Sequence, residues 1–289
     1  MKPKLAVIGL GLIGGSLARA LRAALAVSSI SGFDLDAAQA QLALQLGVID
    51  VAASSAADVV AGADVVVLAV PVLRTGEAMR AILPALKPGA VVTDVGSTKQ
   101  SVLLEVERAC GGEIPPWFVA AHPIAGTEKS GVAASEADLF AGKRLVLTPH
   151  ANQGAEALAL VQALWAATGA RVVQMGAAEH DAVFAATSHL PHVLAYAFVD
   201  MLSHLPEAAE IFPNAGGGFR DFTRIASSNP QMWHDIVRAN APAVSSLLKR
   251  QIAELQAMAA HMENGEWDAL KARFARARAA RERYLTQIE

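Results

Sequence analysis

One short segment of the chain, HPIAGTEKSG from His122 to Gly131, gathers an imidazole, a hydroxyl (Thr127), a carboxylate (Glu128) and an ammonium (Lys129). Its glycines and proline rule out a regular helix. Imidazole is the side chain best suited to moving protons near neutral pH, and Pro123 restricts His122 to an extended backbone that aims its ring in one direction. The chemistry on offer is general acid or base catalysis. Taken alone, the same residues describe an ordinary polar turn, so the elements that position them decide the matter.

Those elements begin at the N-terminus. Lys4 to Ile8 is a short strand pattern followed at once by Gly9-Leu10-Gly11-Leu12-Ile13-Gly14 and a helical stretch, Ser16 to Leu25. This is GxGxxG in the strand, turn and helix context that a dinucleotide requires. Gly9 makes the turn, Gly11 lets backbone amides approach a pyrophosphate, and Gly14 packs the helix against the strand. Leu12 and Ile13 lie at the helix start, where free N–H groups and a partial positive charge favour phosphate. A second strand, Ser29 to Phe33, ends at Asp34, whose carboxylate suits the two ribose hydroxyls and repels a 2′-phosphate, so NAD is expected over NADP. Asp36 is the better helix cap.

The alternation of strands and helices continues through Asp64 to Pro71, Leu73 to Leu86, Ala90 to Thr93, Ser97 to Arg108, Arg144 to Thr148, Ala155 to Ala167 and Arg171 to Val173. It predicts a doubly wound α/β (Rossmann) domain over residues 1–175, in which ligands bind beyond the carboxyl ends of the strands. Val70, Pro71, Gly96, Ser97 and the His122 segment all sit at such ends. They are candidates for contact with the nicotinamide half of the cofactor.

After Gly176 no strand pattern remains, and residues 176–289 are expected to form an all-helical domain for substrate binding and dimerisation. Ala177 to His204 reads as one long helix carrying His180, His189 and His192, kinked near Pro191. His189 and His192 share a helix face and are assigned to substrate contact, since HxxH without an acidic third ligand is a weak metal pair. No metal site is expected. Gly216-Gly217-Gly218-Phe219-Arg220-Asp221-Phe222-Thr223-Arg224 offers open backbone at Gly217 and two arginines whose planar forks suit carboxylates. The neighbouring Phe219, Phe222 and Ile225 suggest that the segment is partly buried. Helices are expected from Pro230, from Pro242 to His261 and from Glu266 to Ile288.

Composition narrows the function classes. Of 289 residues 53% are hydrophobic, enough for a large core, and the net charge of −3 with 24 basic and 27 acidic residues argues against nucleic acid as a partner. The basic cluster Lys271, Arg273, Arg276, Arg278, Arg281 and Arg283 reads as a solvated helix face. A single cysteine, Cys110, excludes an internal disulfide, fits a reducing compartment, and is expected to be buried near a helix end. Glycine density and Arg19 and Arg22 argue against a signal peptide at the N-terminus, and no apolar stretch is expected to approach the ~20 residues that cross a bilayer. The expectation is a cytoplasmic protein without a membrane partner.

GLGLIGGS, TDVGSTK, HPIAGTEKSG, SHLPH and GGGFRDFTRIA, in that order, closely resemble the prephenate and arogenate (cyclohexadienyl) dehydrogenases of tyrosine biosynthesis. The resemblance runs over essentially the whole chain. It implies NAD-dependent oxidative decarboxylation, giving 4-hydroxyphenylpyruvate from prephenate or tyrosine from arogenate. It further implies that His122 accepts the proton of the C4 hydroxyl, that Ser97 helps orient the imidazole, and that Arg224 holds a substrate carboxylate. His192 and the backbone around Gly217 would line the pocket, with Thr127 and Arg220 beside it and Glu128 guarding the side-chain end. Arg220 stands where many relatives carry lysine. A homodimer is expected, with tyrosine, if it inhibits, acting at the active site.

Two other readings compete. A β-hydroxyacid or imine-reducing dehydrogenase would share the architecture and rely on a lysine, for which Lys99 is available. A nonenzymatic NAD-sensing module would have no need of Ser97, His122 and Arg224.

Overall fold

The computed structural model describes residues 2–288, with side chains described through Leu285. Strand β1 (Lys4–Ile8) runs into α1 (Leu12–Ala23), then β2 (Ser29–Phe33), α2 (Ala37–Gln45), β3 (Val51–Ala52), α3 (Ala56–Val60), β4 (Val65–Leu68), α4 (Thr75–Ile82), β5 (Val91–Asp94), α5 (Gln100–Ala109) and β6 (Phe118–Val119). These strands form one parallel sheet in the order β3-β2-β1-β4-β5-β6, the doubly wound arrangement. β4 is buried at every position and β1 at all but its first, as strands covered by helices on both faces must be.

The next strands do not extend that sheet. β7 (Ala121–Pro123), β8 (Arg144–Leu147) and β9 (Arg171–Gln174) make a second sheet in which β7 is antiparallel to β8 and β8 parallel to β9, with α6 (Ala155–Ala167) between the last two. Only Ala120 separates β6 from β7, so the chain passes from one sheet to the other immediately before His122. Apolar faces of both sheets join α1 and α6 in one core that includes Leu5, Leu17, Val67, Leu145 and Trp165.

The helical part begins with α7 (Ala177–Phe184), a π-helical turn over Ala185–His189, and α8 (Leu190–Ser203). The expected irregularity near Pro191 thus takes the form of a wide turn just before the proline. Pro191 lacks the N–H that would bond one turn back, and a π-turn absorbs that loss without ending the helix. Within the 27-residue run Ala177–Ser203 an 18-residue window reaches a mean hydropathy of 1.3, long and apolar enough to cross a bilayer by length and composition alone. This corrects the expectation that no segment approaches that length. The run nonetheless carries buried His180, Asp181 and His189, and Asp181 is hydrogen-bonded to the start of α5, so it is a packed helix of the folded domain.

There follow α9 (Ala208–Ile211), α10 (Gly217–Thr223), α11 (Pro230–Ala239), α12 (Ala241–Glu263) and α13 (Trp267–Ile288). Gly217–Thr223 forms α10, with Gly216 at its N-cap. The compact units are Met1–Ala241 and Pro242–Glu289. α7 through α11 belong to the first, joined to it where α7 meets α5 and where Trp233 and Ile236 of α11 meet Val72 after β4. The second is a helical hairpin turned at Gly265 (φ +69°) and tied by Arg273 to Glu254 and by His261 to Glu266 at 2.6 Å.

Candidate active site

The Gly-rich turn is built as its spacing suggests. Gly9 has φ +93°, and a Cβ there would lie 2.2 Å from the Ala69 carbonyl oxygen, so the turn after β1 admits only glycine. At Gly14 a Cβ would come 2.0 Å from the Gly9 oxygen, which is the close helix-to-strand approach. Gly11 is different, for it has an ordinary φ of −76°, and a Cβ added there would meet nothing within 4 Å. The fold does not need glycine at Gly11, whereas a phosphate lying over the first turn of α1, at Leu12 and Ile13, would. Asp34 Oδ2 accepts from the Leu10 amide at 2.7 Å and Oδ1 from the Asp36 amide at 2.9 Å, which fixes the carboxylate at the rim of the same turn. Asp36 caps α2 through Ala38, as expected. Val70 and Pro71 follow β4 beside Gly9. These residues form one cradle, and it fits a dinucleotide.

His122 lies on β7, paired with Val146 of β8, so the imidazole is carried by a strand rather than a free loop. A buried ion pair holds the residue before it. Lys99 Nζ donates to Asp94 Oδ2 at 2.5 Å and to the Ala121 carbonyl at 2.6 Å, while Asp94 Oδ1 accepts from the Ala121 amide at 3.0 Å and Oδ2 from the Gly96 amide at 2.7 Å. Both backbone groups of Ala121 are therefore clamped to the end of β5. Lys99 is fully buried in this pair and cannot reach a ligand, which removes the basis for a lysine-centred chemistry.

The His122 ring is half-buried, edge-on to Phe184, with Nδ1 2.8 Å from His180 Nε2. His180 Nδ1 is in turn 2.8 Å from Asp181 Oδ1. Burial above all, then the nearby His180, Lys99 and His189, hold the His122 imidazole well below its ordinary pKa, so it is a neutral ring at neutral pH. Burial also lowers His180, against the pull of Asp181. For Asp181 burial alone would raise the pKa, but hydrogen bonds from His180 and the amides of Lys99 and Gln100 outweigh it and the carboxyl is held low. Ser97, assigned to orient the imidazole, makes no hydrogen bond to His122 among the described residues, and the Nδ1 position is filled by His180. Ser97 instead places its backbone against the His189 ring. Sequence alone puts His180 on the right helix but leaves its role open, and it gives no reason to single out Asp181. A histidine followed by an aspartate is common, and nothing in spacing says that α7 docks against β7.

The substrate candidates fall into two groups. Neighbouring charges link His122 to His189, His189 to His192, and His192 to Arg224, whose guanidinium lies 3.6 Å from Glu128. His192 stacks on Trp233 with ring centroids 3.4 Å apart, and its Nδ1 donates to the Ser188 carbonyl at 2.9 Å. His189 is 1% exposed, accepts from Asn240 Nδ2 at 3.2 Å, and is pushed down to about 4, chiefly by burial. It stands behind the cleft wall rather than open to a ligand. Thr127 accepts from the Lys129 amide in the exposed tip of the His122 segment. The segment is partly buried, at Phe219, Thr223 and Ile225, but Arg220, Phe222 and Arg224 are exposed, so the expected burial does not extend to the two arginines. Arg220 and Gly217 make no contact with the His122 cluster among the described hydrogen bonds and ion pairs. Both HxxH nitrogens at Nδ1 are occupied by protein partners, and among the described residues no group of three His, Cys, Asp or Glu side chains could hold a metal. Cys110 caps the end of α5, where burial pushes its thiol up and leaves it unreactive.

A dinucleotide cradle on a doubly wound sheet, with a neutral imidazole clamped beside the end of its fifth strand, is the arrangement of an NAD-dependent dehydrogenase. Residues 17–174 match the family described as prephenate dehydrogenase, nucleotide-binding domain, and residues 176–276 match its dimerization domain. The chain is 38% identical to the cyclohexadienyl dehydrogenase of Zymomonas mobilis over 96% of its own length and 94% of that protein's. Its fold superposes on the Aquifex aeolicus prephenate dehydrogenase, solved with hydroxyphenyl propionate and NAD+, with a TM-score of 0.91 at 35% identity, covering 98% of this chain and 99% of the other. The Synechocystis arogenate dehydrogenase superposes with a TM-score of 0.79 at 26% identity, covering 97% of this chain and 99% of that one. The chain belongs to the prephenate dehydrogenase family. It is an oxidoreductase of tyrosine biosynthesis that uses NAD.

Proposed function

We propose that His122 is the base in the oxidative decarboxylation of prephenate to 4-hydroxyphenylpyruvate, and of arogenate to tyrosine where that substrate is accepted. The observation that carries this is the neutral, half-buried His122 ring held at the carboxyl end of β5. NAD, when bound, takes the hydride from ring C4. His122 Nε2 accepts the proton of the C4 hydroxyl as that hydride leaves, the bond from C1 to its carboxylate breaks to release CO₂, and its electron pair completes the aromatic ring. Aromatisation makes the carbon loss strongly downhill, so the protein's task is positioning and one proton transfer.

Arg224 is assigned to the ring carboxylate, displacing its exposed contact with Glu128, while Glu128 and Thr127 flank the side-chain end. His192, set by its stack on Trp233, lines the pocket with Gly217 and Arg220 at its margin. Ser97 and Gly96 are assigned to the nicotinamide end, next to His122 through the Asp94–Lys99 clamp. The cradle from Gly9 to Gly14 takes the pyrophosphate and Asp34 the adenosine ribose.

The division into a dinucleotide-binding part (1–175) and a helical substrate-binding and dimerisation part (176–289) is supported by the two family matches, which meet between residues 174 and 176. We assign a cytoplasmic homodimer in which inhibition by tyrosine, if it occurs, acts at the same site, since tyrosine carries the product's ring. The test is steady-state kcat/KM for prephenate and arogenate, each with NAD and NADP, with CO₂ release followed. NAD reduction without CO₂ from either substrate would sink the assignment.

A further inference from the structure

We propose that His180 and Asp181 are positioning residues that lock the tautomer of His122, placing its proton on Nδ1 and its lone pair on Nε2. The proposal deepens the assignment of His122 as base and rests on it for its kinetic consequence, though not for the tautomer itself.

Asp181 Oδ1 accepts from the Lys99 amide at 2.7 Å and Oδ2 from the Gln100 amide at 2.9 Å, so the carboxylate is seated on the first amides of α5 and cannot rotate. Both amides can only donate, and an ionised carboxylate can only accept. The remaining contact to Asp181, His180 Nδ1 at 2.8 Å, must therefore be an N–H donor. A neutral imidazole carries one proton, so His180 Nε2 is bare. It must accept from its neighbour, which fixes the proton of His122 on Nδ1 across their 2.8 Å contact. The only lone pair left in the ring is on His122 Nε2.

The surrounding charges agree with neutral rings throughout. Lys99 faces both histidines, Asp94 is spent on Lys99 and the Ala121 amide, and His189 is itself held neutral by burial. Without the carboxylate nothing would hold this tautomer, and the form bearing its proton on Nε2 cannot accept one there. The ring and its backbone are thus held by separate devices. Asp181 sets where the proton sits, and the Asp94–Lys99 pair sets where the ring sits.

Long-range ¹H–¹⁵N correlation on protein labelled in its histidines, bound to NAD, reads the tautomer directly, since protonated and bare ring nitrogens resonate far apart. His122 is assigned by the signals lost in His122→Asn. Wild-type His122 and His180 are expected to show protonated Nδ1 and bare Nε2. In Asp181→Ala the acceptor is gone and the orphaned Lys99 and Gln100 amides favour a bare His180 Nδ1, so His180 donates from Nε2 and the His122 proton moves to Nε2. There kcat is expected to fall by ~10³ to 10⁴, as in a catalytic triad whose histidine is held in the wrong tautomer. KM and NAD affinity should stay within about twofold. His180→Gln, whose carbonyl can still accept from His122 Nδ1, should keep the tautomer and far more turnover than His180→Phe. A wild-type His122 protonated on Nε2 overturns the proposal, and so does an Asp181→Ala protein whose His122 tautomer is unchanged, whatever its activity. The wild-type spectrum decides even where a variant fails to fold. It also needs no substrate, so a correct tautomer with no turnover of prephenate would count against the reaction and not against the lock.

Discussion

His122 is half-buried, strand-borne and backed by a second imidazole, and its chemistry follows from those three facts together. Because its pKa is held below 6.5 by burial and by the charges of His180, Lys99 and His189, the base form is already present at neutral pH. The acid limb of kcat/KM is therefore expected below 6.5 with a plateau through neutrality, and a limb at or above 6.5 would contradict this. His122→Asn should lower kcat by ~10² to 10⁴ with NAD affinity unchanged by titration. Arg224 is exposed and only 3.6 Å from Glu128, a pairing of little worth in water, so the guanidinium is available to a substrate carboxylate. A charged hydrogen bond contributes ~1.5–3 kcal/mol, so Arg224→Ala is expected to raise KM about 10- to 100-fold with a smaller change in kcat, and an unchanged KM would remove it from the site. At this scale His122, Arg224 and Asp34 are legible in the sequence because their types and contexts are chemically uncommon. Asp181 is not, because its meaning depends on what it touches.

The strand, turn and helix at the N-terminus offers a clean separation of fold from function. A methyl at Gly14 would collide with the Gly9 carbonyl at 2.0 Å, whereas one at Gly11 meets nothing within 4 Å. Gly14→Ala is expected to lower thermal stability, with a cost of ~1–3 kcal/mol for overpacking, and to weaken NAD binding as a consequence. Gly11→Ala should leave the melting temperature nearly unchanged and weaken NAD binding alone. Paired thermal melts and NAD titrations check this, and equal loss of stability in both would refute it. The elements themselves are readable because their apolar periods switch cleanly between strand and helix. Two features are not. β7 to β9 form their own sheet, since β7 pairs antiparallel with β8, and pairing direction leaves no mark on local pattern. The π-turn before Pro191 reads as a kink from sequence, because a proline announces a lost hydrogen bond without saying how the chain absorbs it.

Across the whole molecule, buried neutral histidines make stability depend on pH. His189 falls from 6.5 when unfolded to about 4 when folded, so the unfolded chain binds its proton first as pH drops. Its contribution is complete above 6.5 and is lost between 6.5 and about 4, a span corresponding to roughly 3 kcal/mol. His122 and His180, depressed in the same direction, add to the effect. Denaturant unfolding at a series of pH values should show stability falling through that window, and His189→Gln should flatten part of the slope. A curve level from about pH 7 to about 4 would contradict the burial of these rings. What the sequence determined by itself was the doubly wound fold, the dinucleotide cradle, NAD as the cofactor and the candidate base, because each rests on local spacing or on a residue type with few other uses. Only the tertiary structure decided what stands behind that base. The contacts of His122 with His180, of Asp181 with the start of α5, and of Lys99 with Ala121 join residues far apart in the chain, and no local pattern encodes which buried polar groups will meet when helices close on a sheet.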